Sequence, residues 1–225
     1  MKEYDCYLFD ADGTLIDTVE LIYQCFVYTC GRFGNREVER EEVVRHVGET
    51  LRRQMERYLG EMDDERYREV ADAHMAYQLS IYSNYLRAFP GVAETLARLR
   101  KQERILGVVT SRRKHTLDIY LRATGLFEWF DILITPEDTQ RHKPDPEPLL
   151  AALSRLDVDA GRAVYVGDSS FDIECGVRAG LDTVFVNWSH IRPERLSYRP
   201  TFYIDNMSEL CSDTAVFDDE GINEG

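Results

Sequence analysis

The sequence predicts an α/β fold, a doubly wound parallel sheet with a small helical cap inserted after the first strand. Three observations predict it. Short, continuously apolar runs such as Cys6–Phe9 and 105–110 (ILGVVT) recur along the chain, the pattern of strands buried on both faces. Segments of helical periodicity separate them, so that strand, helix and strand alternate. One stretch, residues 18–83, has helical spacing throughout and no strand-like run.

The elements follow in chain order. After the strand at Cys6–Phe9, the apolar positions Val19, Ile22, Phe26, Cys30 and Phe33 fall on one helical face. Residues 41–47, 49–59 and 64–83 also read as helices, with Gly34 and Gly48 as breaks. Together they form a block that reads as a lid. Val92, Leu96 and Leu99 mark the next helix, ahead of the strand 105–110. Leu117, Tyr120 and Leu121 mark another, ahead of the strand 131–135 (DILIT). Asp145 and Pro146 suit the N-cap and first position of a helix continuing through 149–156. The runs Ala163–Gly167 and 183–186 (TVFV) complete the expected sheet. Domain organisation is therefore expected as residues 1–17 and 84–225 forming the core, with 18–83 as the cap.

Composition narrows the function classes. The chain has 225 residues, 44% of them hydrophobic, enough for one large domain or a domain with an insert. Its formal net charge of -14 argues against a nucleic-acid partner. The acidic run 217–220 reads as a frayed tail. The five cysteines are odd in number and lack C-x-x-C spacing, which suits a reducing cytosol and opposes a disulfide framework or a zinc site. No apolar run reaches the roughly 18 residues of a membrane span and no leader pattern precedes the first strand, so a cytoplasmic protein without a membrane partner is expected. Oligomeric state is expected to be monomer or homodimer.

Chemistry-bearing residues gather at the predicted strand ends, where open α/β sheets place their ligands. The first strand runs into Asp10-Ala11-Asp12-Gly13-Thr14, two carboxylates able to face one crevice and a glycine that permits a sharp turn or close approach to a ligand. The second core strand ends in Thr110-Ser111. After the third comes Lys143 beside Pro144, and after the fourth Gly167-Asp168-Ser169-Ser170-Phe171-Asp172. Each stretch alone also reads as an ordinary cap or turn. The four in this order are not ordinary, and the crowded carboxylates require a cation, a shared proton or open water.

This ordered set resembles the haloacid dehalogenase-like superfamily of phosphohydrolases, over nearly the whole chain to about Asn187. The helical insert is similar to that superfamily's small helical cap, and the interval of about 30 residues between Ser111 and Lys143 leaves no room for the larger cap of other branches. FDADGTLIDT with the helical cap resembles the phosphoglycolate phosphatase, pyrophosphatase and β-phosphoglucomutase group. The resemblance implies Asp10 as nucleophile, forming an aspartyl-phosphate, and Asp12 as general acid and base. It implies a Mg²⁺ ion held by the carboxylates of Asp10 and Asp168 and the backbone carbonyl of Asp12, with Asp172 beside it or bound through water. Lys143 would bridge Asp10 and the phosphate, and Thr110, with neighbouring Ser111 and Gly13, would hold phosphoryl oxygens. Dehalogenases of the superfamily lack the second aspartate, so Asp12 implies phosphoryl chemistry.

The cap is expected to select a small phosphorylated metabolite, a phosphoglycolate-like monoester or pyrophosphate. Its basic residues are arginines and no lysine occurs in 18–83, which argues for hydrolysis over a sugar phosphomutase. Arg52 and Arg53 are the candidate substrate contacts, although Glu–Arg pairing on a solvated helix face, as between Glu49 and Arg53, explains them better. Asp17 has no role in the resemblance and reads as a solvated or helix-capping residue. A catalytically weak binding module with the same fold is the remaining alternative.

Overall fold

A computed structural model describes residues 2–47, 49–191 and 193–211. Gly48 and the acidic run 217–220 lie outside the described residues. In chain order the elements are β1 (Cys6–Phe9), β2 (Ile16–Asp17), α1 (Val19–Gly34), α2 (Arg40–Val44), α3 (Leu51–Leu59), α4 (Asp64–Tyr85), β3 (Arg87–Ala88), α5 (Val92–Lys101), β4 (Ile105–Val109), α6 (Lys114–Ala123), β5 (Ile132–Ile134), α7 (Glu147–Leu156), β6 (Ala163–Gly167), α8 (Ser170–Ala179), β7 (Asp182–Val186) and β8 (Phe202–Ile204).

Six strands make one parallel sheet in the order β5-β4-β1-β6-β7-β8. Its central strands are apolar on both faces because both faces are covered. Leu96, Leu99, Leu117 and Leu121 pack on one side with Phe9, Leu106 and Val108. Leu149, Ala152, Leu153 and Cys175 pack on the other with Leu8, Val109 and Tyr165. Strand order reverses at β1, which lies between β4 and β6. A crevice therefore opens at the carboxyl ends of β1 and β6.

The expected strands form, each within a residue of the predicted limits. β8 and the two-residue ribbon of β2 and β3 were not legible, since both are too short to show a period. The ribbon pairs Ile16 with Ala88 and Asp17 with Arg87, joining the two crossings of the chain into and out of the helical block. Asp17 accepts the Val19 N–H at 3.3 Å, the capping duty read from the sequence. Helix α2 stops at Val44 rather than Val47, and α7 begins at Glu147, whose N–H is accepted by Asp145 Oδ1 at 3.0 Å.

Helices α1 to α4 have their own apolar core, including Phe26, Cys30, Val43, Met55, Tyr58 and Val70. At roughly 1.5–3 kcal/mol for each large side chain fully buried, this cluster stabilises the block apart from the sheet. Among the described residues no helix is long and apolar enough to cross a membrane.

Candidate active site

The site is built where β1 and β6 end. The Asp10 N–H donates to Val166 O at 2.9 Å, which carries the ladder one residue past β1 and leaves the Asp10 side chain at the crevice floor. Lys143 arrives from the loop before α7 and is 4% exposed. Its three N–H donors are fully engaged, with Asp10 Oδ1 at 2.8 Å, Asp172 Oδ1 at 2.6 Å and the Tyr165 hydroxyl at 3.1 Å. Tyr165 in turn donates to Val109 O at 2.7 Å, tying the ammonium to the neighbouring strand end.

Asp168 and Asp172 come from the β6–α8 turn. Ser169 and Asp172 form a reciprocal capping box at the start of α8. Asp172 Oδ2 accepts from Ser169 N at 3.0 Å and Ser169 Oγ at 2.5 Å, so both its oxygens are occupied. Asp168 differs. Its carboxylate is buried, yet no hydrogen-bond donor to it is found among the described residues, and only its backbone carbonyl is used, by Ser189 Oγ at 2.6 Å. Gly13 makes this placement possible. Its φ is +80°, and a Cβ there would stand 2.2 Å from Asp168 Oδ2. The glycine thus admits the carboxylate to the floor and is not among the side chains lining the cavity.

One carboxylate oxygen from each of Asp10, Asp168 and Asp172 lies within 4.8 Å of the others. Burial raises the proton affinity of Asp10, opposed by Lys143 and reinforced by Asp172 and Asp12. Burial, then Asp172 and Asp10, push Asp168 well above the ordinary carboxylate range. Burial works against the charge on Lys143 too, but Asp10 and Asp172 hold its ammonium above the usual lysine range. Three buried carboxylates against one ammonium leave an excess of negative charge. A hard divalent cation with oxygen ligands fits that excess and fits the donorless Asp168. Asp10 and Asp168 would be its carboxylate ligands. Asp172, already holding Lys143 and Ser169, fits a supporting place.

Asp12 stands apart from this floor. Its carboxylate is bound by the Arg112 guanidinium, Nε to Oδ2 at 2.8 Å and Nη2 to Oδ1 at 2.7 Å, and by Thr18 Oγ1 at 2.6 Å. Thr18 therefore spends its hydroxyl on Asp12 rather than on capping α1. Thr110 is buried at the end of β4, its Oγ1 accepting the Arg112 N–H at 3.2 Å, and Ser111 lines the cavity beside it.

Above the floor lies a cavity of about 440 Å³ between strand ends and helical block. Arg52 and Arg53 part company there. Arg52 lines the cavity but is bound to Glu56 at 2.9 Å and Asp64 at 2.7 Å. Arg53, one residue and about 100° further round α3, is exposed and does not line it. The block's other polar contributions are Gln54, Gln78 and His74, neutral and buried, and Glu49, whose carboxylate is paired with Arg57 at 2.9 Å. Thr29 Oγ1 donates to Cys25 O at 2.7 Å, so at its 2.8 Å contact with His74 Nδ1 the imidazole must be the donor, leaving Nε2 as acceptor. Burial, assisted by Arg112, drops the His74 pKa to about 3 and keeps the ring neutral.

Sequence reading missed Arg112, Thr18, Tyr165 and His74. Arg112 had a signal, a basic residue directly after the hydroxyls of a strand end. Tyr165 had none, being one more apolar position in a buried strand.

With this geometry in hand, comparison with known proteins is direct. A family model of haloacid dehalogenase-like hydrolases matches residues 7–186, and the chain belongs to that family. It is 35% identical over 216 residues to the pyrophosphatase PpaX of Bacillus velezensis, covering 96% of this chain and 98% of the relative. The PpaX pyrophosphatase of Bacillus cereus strain G9842 is 33% identical over 204 residues, 90% of this chain and 93% of its own. A solved haloacid dehalogenase-like hydrolase from Bacteroides fragilis superposes with a TM-score of 0.85 at 29% identity, over 93% of this chain and all of the other.

Proposed function

We propose that the chain is a Mg²⁺-dependent phosphohydrolase acting on pyrophosphate or a small phosphomonoester through a phosphorylated Asp10. The enzyme is a phosphatase by class, in keeping with its family and relatives. The observation that carries the finer reading is the floor itself: Asp10 locked by Lys143, beside a buried Asp168 whose carboxylate has no donor among the described residues, at the carboxyl edge of the sheet.

Bound at Asp10 and Asp168, the cation would neutralise charge so that a carboxylate can approach a phosphoryl group. Lys143 takes Asp10 Oδ1 and fixes the rotamer, leaving Oδ2 for phosphorus. Attack forms the Asp10–phosphorus bond and breaks the bond to the leaving oxygen, which takes its proton from Asp12 in its carboxylic-acid form, Asp12 having first picked up that proton from solvent. Asp12 then takes a proton from the water that attacks phosphorus and regenerates Asp10. Both duties would draw Asp12 toward the leaving oxygen and loosen its bonds to Arg112 and Thr18. Thr110 and Ser111, lining the cavity at the end of β4, would hold the phosphoryl oxygens as charge spreads over them. The helical block would exclude water and select the leaving group, its moving parts flanking the β2–β3 ribbon.

The test is turnover of p-nitrophenyl phosphate, then of pyrophosphate, phosphoglycolate, nucleotides and sugar phosphates, with and without Mg²⁺. Release of free phosphate that depends on Mg²⁺ supports the reading. No turnover across the panel refutes it, and isomerisation of a sugar 1-phosphate without free phosphate would select a mutase.

A further inference from the structure

We propose that Arg112 reads a second anionic group on the leaving-group side of the substrate, so that the enzyme's substrates are small phosphates carrying one. A phosphoryl group, as in pyrophosphate, or a carboxylate meets that description. The inference rests on the phosphohydrolase reading above and assigns its selectivity to a residue outside the family's four motifs.

Arg112 lies where such a group would arrive. In-line attack by Asp10 puts the leaving oxygen on the far side of phosphorus, toward Asp12. Whatever is attached to that oxygen comes next to the partner of Asp12. That partner is a buried guanidinium, its side chain 8% exposed, lining the cavity and backed by the Tyr120 ring at 4.3 Å. Its fork already grips a carboxylate at two points, and the same fork fits a phosphoryl group or a substrate carboxylate.

The exchange decides selectivity. Arg112 holds both oxygens of Asp12, so turning that carboxyl group toward the leaving oxygen loosens the pair. A neutral leaving group would strand a buried cation, which is costly, whereas an anionic one replaces the lost carboxylate like for like. Among the described residues the cavity's other guanidinium on the helical block, Arg52, is already paired with Glu56 and Asp64. Gln54, Gln78 and His74 are neutral, and Arg113 stands at the rim with Glu137 at 3.4 Å. The pairing with Asp12 is then the place-holder that the substrate's second anion displaces.

Phosphoglycolate and ethyl phosphate differ by the carboxylate and make the discriminating pair, with pyrophosphate as a third probe. Wild type with Mg²⁺ should favour phosphoglycolate and pyrophosphate over ethyl phosphate by roughly 10²-fold in kcat/KM, the order expected when one partner of a buried pair is left alone. Arg112→Met should bring that ratio close to one, chiefly by raising KM for the two-anion compounds, and Arg112→Lys should keep part of it. A ratio near one in wild type overturns the proposal without any variant. A ratio unchanged in Arg112→Met, with both substrates slowed alike, also overturns it and leaves Arg112 as a positioning residue for Asp12. Calorimetry of the same probes on Asp10→Asn with Mg²⁺ separates the two readings. A two-anion preference in binding, with no turnover by wild type, would refute the phosphohydrolase and uphold the role of Arg112.

Discussion

Two surfaces face each other across the cavity, and they handle buried polarity in opposite ways. The sheet edge concentrates charge: Asp10, Asp168, Asp172 and Lys143 share one floor, with the Arg112–Asp12 pair at its side. The helical block buries polar groups too but carries less charge there, with Gln54, Gln78 and an imidazole held uncharged beside the carboxylate of Glu49, which is paired with Arg57. Its arginine at the cavity, Arg52, is spent on Glu56 and Asp64. The difference teaches where each task resides. On the proposed mechanism, bond making needs fixed charge beside phosphorus, which the strand ends supply. Selection and water exclusion need shape and hydrogen bonding, which helices can bring and take away.

The comparison can be broken first at the sheet edge. Asp10→Asn should lower turnover by at least about 10⁴-fold, the scale seen when a nucleophile is removed, while circular dichroism stays that of the wild type. Near-wild-type rates would remove Asp10 from the chemistry. Asp12→Asn should lose roughly 10²–10⁴-fold, the worth of positioned proton transfer, with KM much less affected. Lys143→Met leaves Asp10 and Asp172 without their cation. It should destabilise the metal-free protein by roughly 3–5 kcal/mol in denaturant unfolding, with added Mg²⁺ recovering part of the loss. Destabilisation well under that range would mean water reaches the floor and screens the charges.

The neutral surface is sharpened by pH. The pKa of His74 is depressed in the folded state to about 3, against about 6.5 unfolded. The unfolded chain therefore takes up a proton first. The contribution of His74 is fully present above pH 6.5 and is lost as pH falls toward 3, at about 1.4 kcal/mol per pH unit. His74→Gln should flatten that part of the stability–pH curve relative to wild type. An unchanged slope would show that the ring is charged or exposed in the folded protein.

The same contrast explains what the sequence disclosed. Asp10, Lys143, Asp168 and Asp172 were legible because each follows a buried strand or precedes a helix, so local chain grammar carries them to one edge. The helices of the block were legible for the same reason, from Val19, Ile22 and Phe26 at helical spacing. The face of the block turned to the cavity was not. Arg53 was as good a candidate as Arg52 because neighbouring residues differ only by rotation about α3, and His74 finds its hydrogen-bond partner in Thr29, 45 residues away. Arg112 required a fold that brings residue 112 back to residue 12. Long-range pairing of this kind leaves no periodic trace.

Chemical trapping at Asp10 tests the account most directly. Protein mixed with substrate and Mg²⁺, quenched in acid and reduced with borohydride, should carry homoserine at position 10, and Asp10→Asn should carry none. Active wild-type protein whose Asp10 emerges unaltered, or which is reduced at a different carboxylate, would contradict it.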